Sequence, residues 1–357
     1  MKNRYFKKKV LITGHNGFKG RWLCLWLNKL GATILGISLK QNKDDKFLFN
    51  KKNQIKSIYQ DINDYKKLKK VINNFNPDII FHLAAQSIVH DSYIKPIETY
   101  KTNIMGTLNV FEASRSCKNL KAIVNITSDK CYLNEEKRNS FKEIDKLGGN
   151  DLYSSSKACS EILTHSYRNS FLNLKAFKTK HKILISSVRC GNVVGGGDYN
   201  KYRIIPDIVN AINKNKILNL RNPNSIRPWI YILDCLYGYL SVGRRLLESK
   251  KEFAQPFNFG PSGENNLKVK DIVKLVEKKW CKIKIKFNEK EKFQENKVLK
   301  LNNNKAKKKL NWQPFYTSKK AIIQTIDWHR NKKKDILESY EYALDSYLKN
   351  FKKKIKL

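Results

Sequence analysis

Paired cysteines, long apolar runs and acidic residues are scarce in this chain, and each shortage excludes a class of protein. The seven cysteines, Cys24, Cys117, Cys131, Cys159, Cys190, Cys235 and Cys281, include no C-x-x-C pair and no zinc-type spacing with histidine. That leaves out a dithiol redox motif and a structural zinc site. An odd, scattered set of thiols fits a reducing compartment, so a cytoplasmic location and no metal are expected. No stretch approaches the ~18 unbroken apolar residues of a membrane-spanning helix. The run "VLITG" that follows "MKNRYFKKK" is too short for a signal peptide.

Asp and Glu number 31 against 72 Lys and Arg, a formal net charge of +41. Such a charge suits a nucleic acid or an anionic membrane. The lysines, however, are spread along the whole chain and form no arm or stripe, so neither partner is expected. The same field draws a small anionic substrate towards a cleft.

The 357 residues suffice for one large or two ordinary domains. Residues 10–13 form a short β-branched run, as in a buried parallel strand. Residues 18–30 place Phe18, Trp22, Leu23, Trp26, Leu27 and Leu30 on one helical face, and Gly31 supplies the stop. Strands at "ATILGIS", "QIKSIYQD", "PDIIFHLAA", "KAIVNITS" and "KILISSVR" then alternate with helices at residues 65–75, up to about Cys117, and at 152–171. Alternation of this kind predicts a Rossmann-type, doubly wound parallel α/β sheet. Regularity breaks after Val194, where "GGGDYNKYR" leads to an amphipathic stretch at 204–212. The expected division is a dinucleotide domain at 1–190, with return segments near 228–262. A smaller mixed α/β substrate domain takes 191–227 and 263–350. The last residues, "FKKKIKL", read as a frayed tail.

"TGHNGFKG" spaces Gly14, Gly17 and Gly20 three apart, after a strand and opening a helix. Glycines there permit a tight turn and close approach to a pyrophosphate seated on the helix N-terminus with Phe18. The acid that usually grips the adenosine ribose is missing: "GISLK" offers Ser38 and Lys40 instead. The cofactor reads as NAD, held loosely, with NADP not excluded because Lys40 tolerates a 2′-phosphate. Asp61 and Ile62 at the next strand end suit the adenine, and Ala84 and Ala85 leave room for a flat cofactor.

"YSSSKACSE" sets Tyr153 and Lys157 one helical turn apart, so both reach the same side. An ammonium beside a phenol favours the phenolate and lowers its pKa from ~10, which makes the tyrosine a usable base. Alone, Y-x-x-x-K occurs on many helices. Here it follows a strand ending in "TSDK" and a dinucleotide turn.

Taken in order, these residues resemble the extended short-chain dehydrogenase/reductase family from about residue 10 to residue 260. "TGHNGFKGRWL", "FHLAAQSIVHDSY", "TNIMGTLNVFEA" and "DLYSSSKACSE" are similar to its sugar-nucleotide 4,6-dehydratases, and "GNVVGGGDY" and "RNPNSIRPW" to the branch acting on CDP-glucose. The resemblance implies conversion of CDP-glucose to CDP-4-keto-6-deoxyglucose by internal hydride transfer through bound NAD, a step towards deoxysugars. In that reaction Tyr153 takes the proton of the sugar 4-hydroxyl and Ser128 hydrogen-bonds the same oxygen. Asp129 gives a proton to the departing 6-hydroxyl. Lys130 stands where most of these dehydratases carry Glu, as in the CDP-glucose branch. It serves either as the C5 base, if burial neutralises it, or as a charged partner of the enolate.

The resemblance further implies Asn192, Arg203 and Arg227 for the diphosphate, Gln86 and Ser87 beside the sugar, and a homodimer or homotetramer. One departure stands out: His90 and Asp91 occupy positions where the CDP-glucose enzymes usually have Arg, so hexose contacts are loosened or Asp91 pairs with a lysine. His82 reads as a packed strand-end residue. Another nucleotide-sugar 4,6-dehydratase, a 4-epimerase, and a non-catalytic dinucleotide-binding or nucleic-acid-associated protein remain as alternatives.

Overall fold

A computed structural model describes residues 2–40, 55–135, 140–261, 267–287 and 298–355. Along the chain run α1 (Lys2–Tyr5), β1 (Lys9–Thr13), α2 (Phe18–Lys29), β2 (Thr33–Ser38), β3 (Ile55–Tyr59), α3 (Tyr65–Phe75) and β4 (Ile79–His82). Next come α4 (Val89–Ile94), α5 (Pro96–Tyr100), a π-helical turn (Lys101–Met105), α6 (Gly106–Arg115), β5 (Ala122–Ile126), α7 (Leu152–Asn169) and β6 (Leu184–Cys190). The remainder holds β7 (Val193–Val194), α8 (Ile204–Asn213), β8 (Leu218–Leu220), β9 (Ile230–Tyr231), α9 (Ile232–Leu247), β10 (Phe257–Phe259), α10 (Val269–Lys279), β11 (Ile285–Phe287), α11 (Asn304–Leu310), α12 (Ser318–Arg330) and α13 (Ile336–Ile355).

Two compact units divide these elements: residues 1–133, 143–189 and 236–257 in the first, and 134–142, 190–235 and 258–357 in the second. The seven-stranded sheet has the order β10-β6-β5-β4-β1-β2-β3. The pairs β1–β2, β1–β4, β2–β3, β4–β5 and β5–β6 are all parallel. Strands β4, β5 and β6 are buried along their whole length, as a sheet covered on both faces requires. Strand order reverses between β1 and β4, which opens a crevice at their carboxyl ends.

Local chemistry sets the element ends. Asp64 caps α3 by accepting from Lys67 N, and Asn76 stops it in the left-handed conformation at φ 49°. Leu68 and Ile72 of α3 enter a core with Leu11, Ile80, Phe111, Val110 and Ile123. Trp22 and Trp26 of α2 are also buried, and Tyr5 donates to Leu240 O at 2.8 Å.

In the second unit, β7 pairs with β9 and β8 with β11, each in parallel. Asp234 gathers this unit: it accepts from Phe315 N at 2.7 Å, Tyr316 N at 3.0 Å and the Tyr347 hydroxyl at 2.6 Å. The frayed tail expected at residue 351 is corrected. Helix α13 continues to Ile355, because Phe351 is buried and stacks on Tyr347 with centroids 5.6 Å apart. Only residues 356–357 of that stretch lie outside the described residues.

Gly36, in the middle of β2, lies under the ring of His15, whose Nδ1 would stand 2.7 Å from a Cβ placed there. The ring is held by a 2.7 Å hydrogen bond between Nε2 and Ser57 Oγ. Gly36→Ala therefore overpacks the junction of β1, β2 and β3, and a loss of about 2 kcal/mol is expected, read as a lowered urea midpoint.

Candidate active site

The glycine turn fits a dinucleotide. Gly14 has φ +71°, and a Cβ on it would stand 2.8 Å from Ala84 N, so the turn closes on the loop after β4. A Cβ on Gly20 would collide with Gly14 O and His15, which packs α2 tightly onto the turn. Among the described residues a Cβ on Gly17 would meet only Gly14 O, at 3.3 Å, which leaves room for a phosphate on that side. Gly17 is the extended N-cap of α2, and the Phe18 side chain is buried, leaving its backbone to face an anion.

At the end of β2, Ser38 is buried and its Oγ has no hydrogen-bond partner among the described residues. Such an orphan suits a ligand hydroxyl. Asp61 is exposed and its Oδ1 accepts from Asn63 N at 2.8 Å. Ile62 turns its side chain into the core, against Gly106, so only its backbone borders the crevice. Ala84 and Ala85 are half-buried, and Ala84 N donates to Thr13 Oγ1 at 3.2 Å.

A polar web underlies this floor. Thr13 Oγ1 bonds His82 Nδ1 at 2.7 Å, and His82 Nε2 bonds Thr107 Oγ1 at 3.1 Å. Asn103, in the π-helical turn, donates to Gln86 O and to Ser156 Oγ, each at 2.9 Å. Asn125 of β5 donates to Ser160 Oγ at 3.1 Å and Thr164 Oγ1 at 2.8 Å. Asn103 and Asn125 thereby tie two sequence segments to the polar face of α7. Burial, with help from Lys157, pushes His82 down to about 3, so it is a neutral structural link.

Strand β5 runs into Thr127 and Ser128, and Ser128 caps a 3₁₀ turn, Asp129–Cys131, by accepting from Lys130 N at 3.2 Å. Ser128 Oγ donates to Asp129 Oδ1 at 3.1 Å. Ser128 and Asp129 are buried and Lys130 is half-buried. Helix α7 packs against this turn. Its N-cap, Asp151, accepts from Ser154 N at 2.8 Å. Tyr153 and Lys157 are both buried, at 8% and 5% exposure, one helical turn apart. Burial first, then the charge of Lys19, pulls Lys157 down to about 8, against the opposing pull of Glu161.

Glu161 is the group that sequence reading missed. It lies one more turn along the same face and forms an ion pair with Arg189 of β6 at 2.8 Å, both 3% exposed. Thr127 donates to Glu161 Oε1, and Ser187 to Oε2 at 2.7 Å. Arg189 also donates to the Tyr132 hydroxyl at 2.9 Å and to Glu143 O at 3.1 Å. Burial alone would raise the Glu161 carboxyl, but Arg189 and these hydrogen bonds hold it below the ordinary range.

The remaining candidates are placed as follows. Gln86 is occupied by its own loop, with Nε2 donating to Ile88 O at 2.9 Å and Thr99 Oγ1 at 3.1 Å, so its amide shapes the loop. Ser87 is exposed. Asp91 lies 3.4 Å from His90 Nδ1, its neighbour in sequence. In the second unit Asn192 O accepts from Ile230 N at 3.0 Å, Arg203 is paired with Asp198 at 2.8 Å, and Arg227 is buried with Nη1 on Ile226 O at 3.1 Å. The "GGGD" aspartate thus orients one of the two candidate arginines.

Removing the Glu161 charge leaves Arg189 buried and unbalanced. Glu161→Gln is expected to cost about 3 kcal/mol in urea unfolding. Because Glu161 raises the Lys157 pKa, the same variant moves the Lys157 titration below about 8, measured by NMR of ¹³Cε-labelled lysine.

Residues 11–325 match the model of the family described as GDP-mannose 4,6 dehydratase. The chain is 41% identical over 332 residues to the CDP-glucose 4,6-dehydratase of Salmonella typhimurium, covering 92% of each. It is 28% identical to the dTDP-D-glucose 4,6-dehydratase of Dictyostelium discoideum, over 77% of this chain and 63% of that one. In fold it is similar to an epimerase of Methanothermobacter thermautotrophicus, with a TM-score of 0.81 at 22% identity and 97% of each chain covered. It is likewise similar to the dTDP-glucose 4,6-dehydratase of Bacillus anthracis solved with NAD, with a TM-score of 0.77 at 20% identity, covering 93% of this chain and 99% of that one. The family match over residues 11–325 and the 41% identity over 92% of the chain make this chain a member of the GDP-mannose 4,6-dehydratase family.

Proposed function

We propose that the protein dehydrates CDP-glucose to CDP-4-keto-6-deoxyglucose, with NAD as its resident dinucleotide. One observation carries the reading. Helix α7, on which Tyr153 and Lys157 are buried a turn apart, packs against the turn that carries Asp129 and Lys130. Proton-handling groups for both ends of a 4,6-dehydration are thus collected on two adjoining elements. Identity of 41% to a CDP-glucose 4,6-dehydratase supports the choice of nucleotide and sugar.

The Gly14, Gly17, Phe18 and Gly20 turn would hold the dinucleotide, with Ser38, Asp61 and the Ile62 backbone at its adenosine end and Ala84, Ala85 and Lys157 further along. Bound NAD would supply the hydride-accepting and hydride-donating chemistry of the reaction. Tyr153 takes the proton of the sugar 4-hydroxyl, and the Lys157 ammonium stabilises the phenolate form it needs. Lys157, pulled to about 8, still carries its charge at neutral pH. Ser128 hydrogen-bonds the same sugar oxygen. The ketone that results acidifies the C5 proton, and Lys130 in its neutral form removes it; a charged Lys130 would instead stabilise the enolate. Asp129, carrying a proton, gives it to the departing 6-hydroxyl, and water leaves; the resulting 5,6-double bond would then take back the hydride at C6 from the dinucleotide and a proton at C5 from Lys130. Gln86 and Ser87 border the sugar, and Asn192, Arg203 and Arg227 hold the diphosphate. The protein acts in the cytoplasm as a homodimer or homotetramer; among the described residues no helix is long and apolar enough to cross a membrane.

Incubation with CDP-, dTDP-, GDP- and UDP-hexoses, followed by mass and NMR analysis, tests the reading. CDP-glucose is expected to lose water and give a 4-keto-6-deoxy sugar; an epimer of unchanged mass would overturn it. Tyr153→Phe is expected to reduce turnover about a thousandfold with nucleotide-sugar affinity near wild type. In Lys130→Met, solvent deuterium should no longer enter at C5. Persistent uptake there would remove Lys130 from the role of C5 base.

A further inference from the structure

We infer that Trp328 of α12 and Tyr340 of α13 are positioning residues for the substrate diphosphate, acting through the "GGGD" run on the guanidinium of Arg203. The inference rests on the diphosphate role proposed above for Arg203 and deepens it. Two glycines of the run are explained by what packs on them. A Cβ on Gly196 would collide with the indole of Trp328, and one on Gly197 with the hydroxyl of Tyr340. Gly197 also sits at φ +78°, in the left-handed region.

Both aromatic partners are themselves fixed. Trp328 and Tyr340 are buried, with their rings edge to face and centroids 5.5 Å apart. Trp328 Nε1 donates to Ser339 O at 3.2 Å, which ties α12 to α13. Helix α12 packs in turn on β7 and β9. The glycine run is therefore pressed onto an aromatic floor. Position passes on from it to Asp198, which is buried. Its Oδ1 accepts from Asn200 N at 3.2 Å and Asn200 Nδ2 at 2.7 Å, and its Oδ2 from Arg203 Nη1 at 2.8 Å. The Arg203 backbone is held as well. Asp207 N donates to Arg203 O at 2.9 Å, and Asp207 Oδ1 accepts from Tyr202 N at 3.2 Å. Tyr202 sits at φ +62°, a conformation that a bulky residue keeps only where its surroundings impose it.

Asp198 carries charge of the same sign as a diphosphate, so it adds no attraction of its own. What it adds is the direction in which Arg203 points. The Arg203 side chain is 31% exposed, and a guanidinium has donors enough to serve a carboxylate and a phosphate together. Its aim is set by the run, and the run by Trp328 and Tyr340.

The test is calorimetric titration of the NAD-loaded protein with CDP, beside initial rates with CDP-glucose. Gly196→Ala and Trp328→Phe both disturb the seat of the run and leave every charge in place; should one fail to fold, the other is read alone. Each is expected to weaken CDP binding and raise KM about tenfold, the worth of one charged hydrogen bond. Turnover number should stay within about twofold, because the diphosphate is gripped alike in ground and transition states. Arg203→Ala is expected to weaken CDP about tenfold by itself, and Gly196→Ala added to it to change affinity less than about twofold further. Folded variants that bind CDP as wild type does would overturn the inference and leave the dehydratase reading standing. So would an effect of Gly196→Ala that adds in full to that of Arg203→Ala. Wild-type protein that binds neither CDP nor CDP-glucose would overturn both.

Discussion

The buried ion pair between Glu161 and Arg189 is the constraint on which the site depends. It joins the middle of α7 to the end of β6, and an unpaired charge at that depth costs several kcal/mol. Thr127, Ser187 and Tyr132 fill much of the remaining hydrogen-bonding capacity around it. Helix α7 cannot roll or slide against the sheet without breaking several of these bonds at once. Tyr153 and Lys157 ride on that helix, so their position follows from a buried ion pair further along it.

The pair also sets an electrical condition. Lys157 is buried and faces the repulsion of Lys19, both of which favour its neutral form. Glu161, kept ionised by Arg189, offsets that tendency from one turn away. In the proposed reaction a phenolate on Tyr153 needs the ammonium, so the acid two turns from the tyrosine would act on it through the lysine between them. Beneath, the chain of Thr13, His82 and Thr107, with Asn103 and Asn125, keeps the polar face of α7 satisfied without introducing a further charge.

Much of this was legible in the sequence because the signals are local. Helix α3 falls on the residues that periodicity assigns it, since Asp64 and Asn76 mark both ends. The glycine turn and the Tyr153–Lys157 spacing are also local, and the structure puts them where strand–turn–helix order implies. Glu161 escaped although it closes the quoted "YSSSKACSE", because its meaning lies in Arg189, 28 residues away. A signal did exist: "SSVR" puts two serines and an arginine into a strand buried on both faces, and such groups require partners. The resemblance set Gln86 beside the sugar; the bonds its amide makes to Ile88 and Thr99 depend on loop geometry that no spacing rule reveals. The tail was misread for a similar reason. Its lysines look solvated, while Phe351 among them is anchored on Tyr347.

That anchoring has a consequence for handling the protein. The Tyr347 hydroxyl shares Asp234 with the backbone of Phe315 and Tyr316, so α13 is wired into the second unit at the start of α9. Trimming the lysine-rich end back through Tyr347 to improve expression or crystallisation would strip a carboxylate of a partner and uncover aromatic rings. Aggregation, rather than a tidier molecule, would be the result.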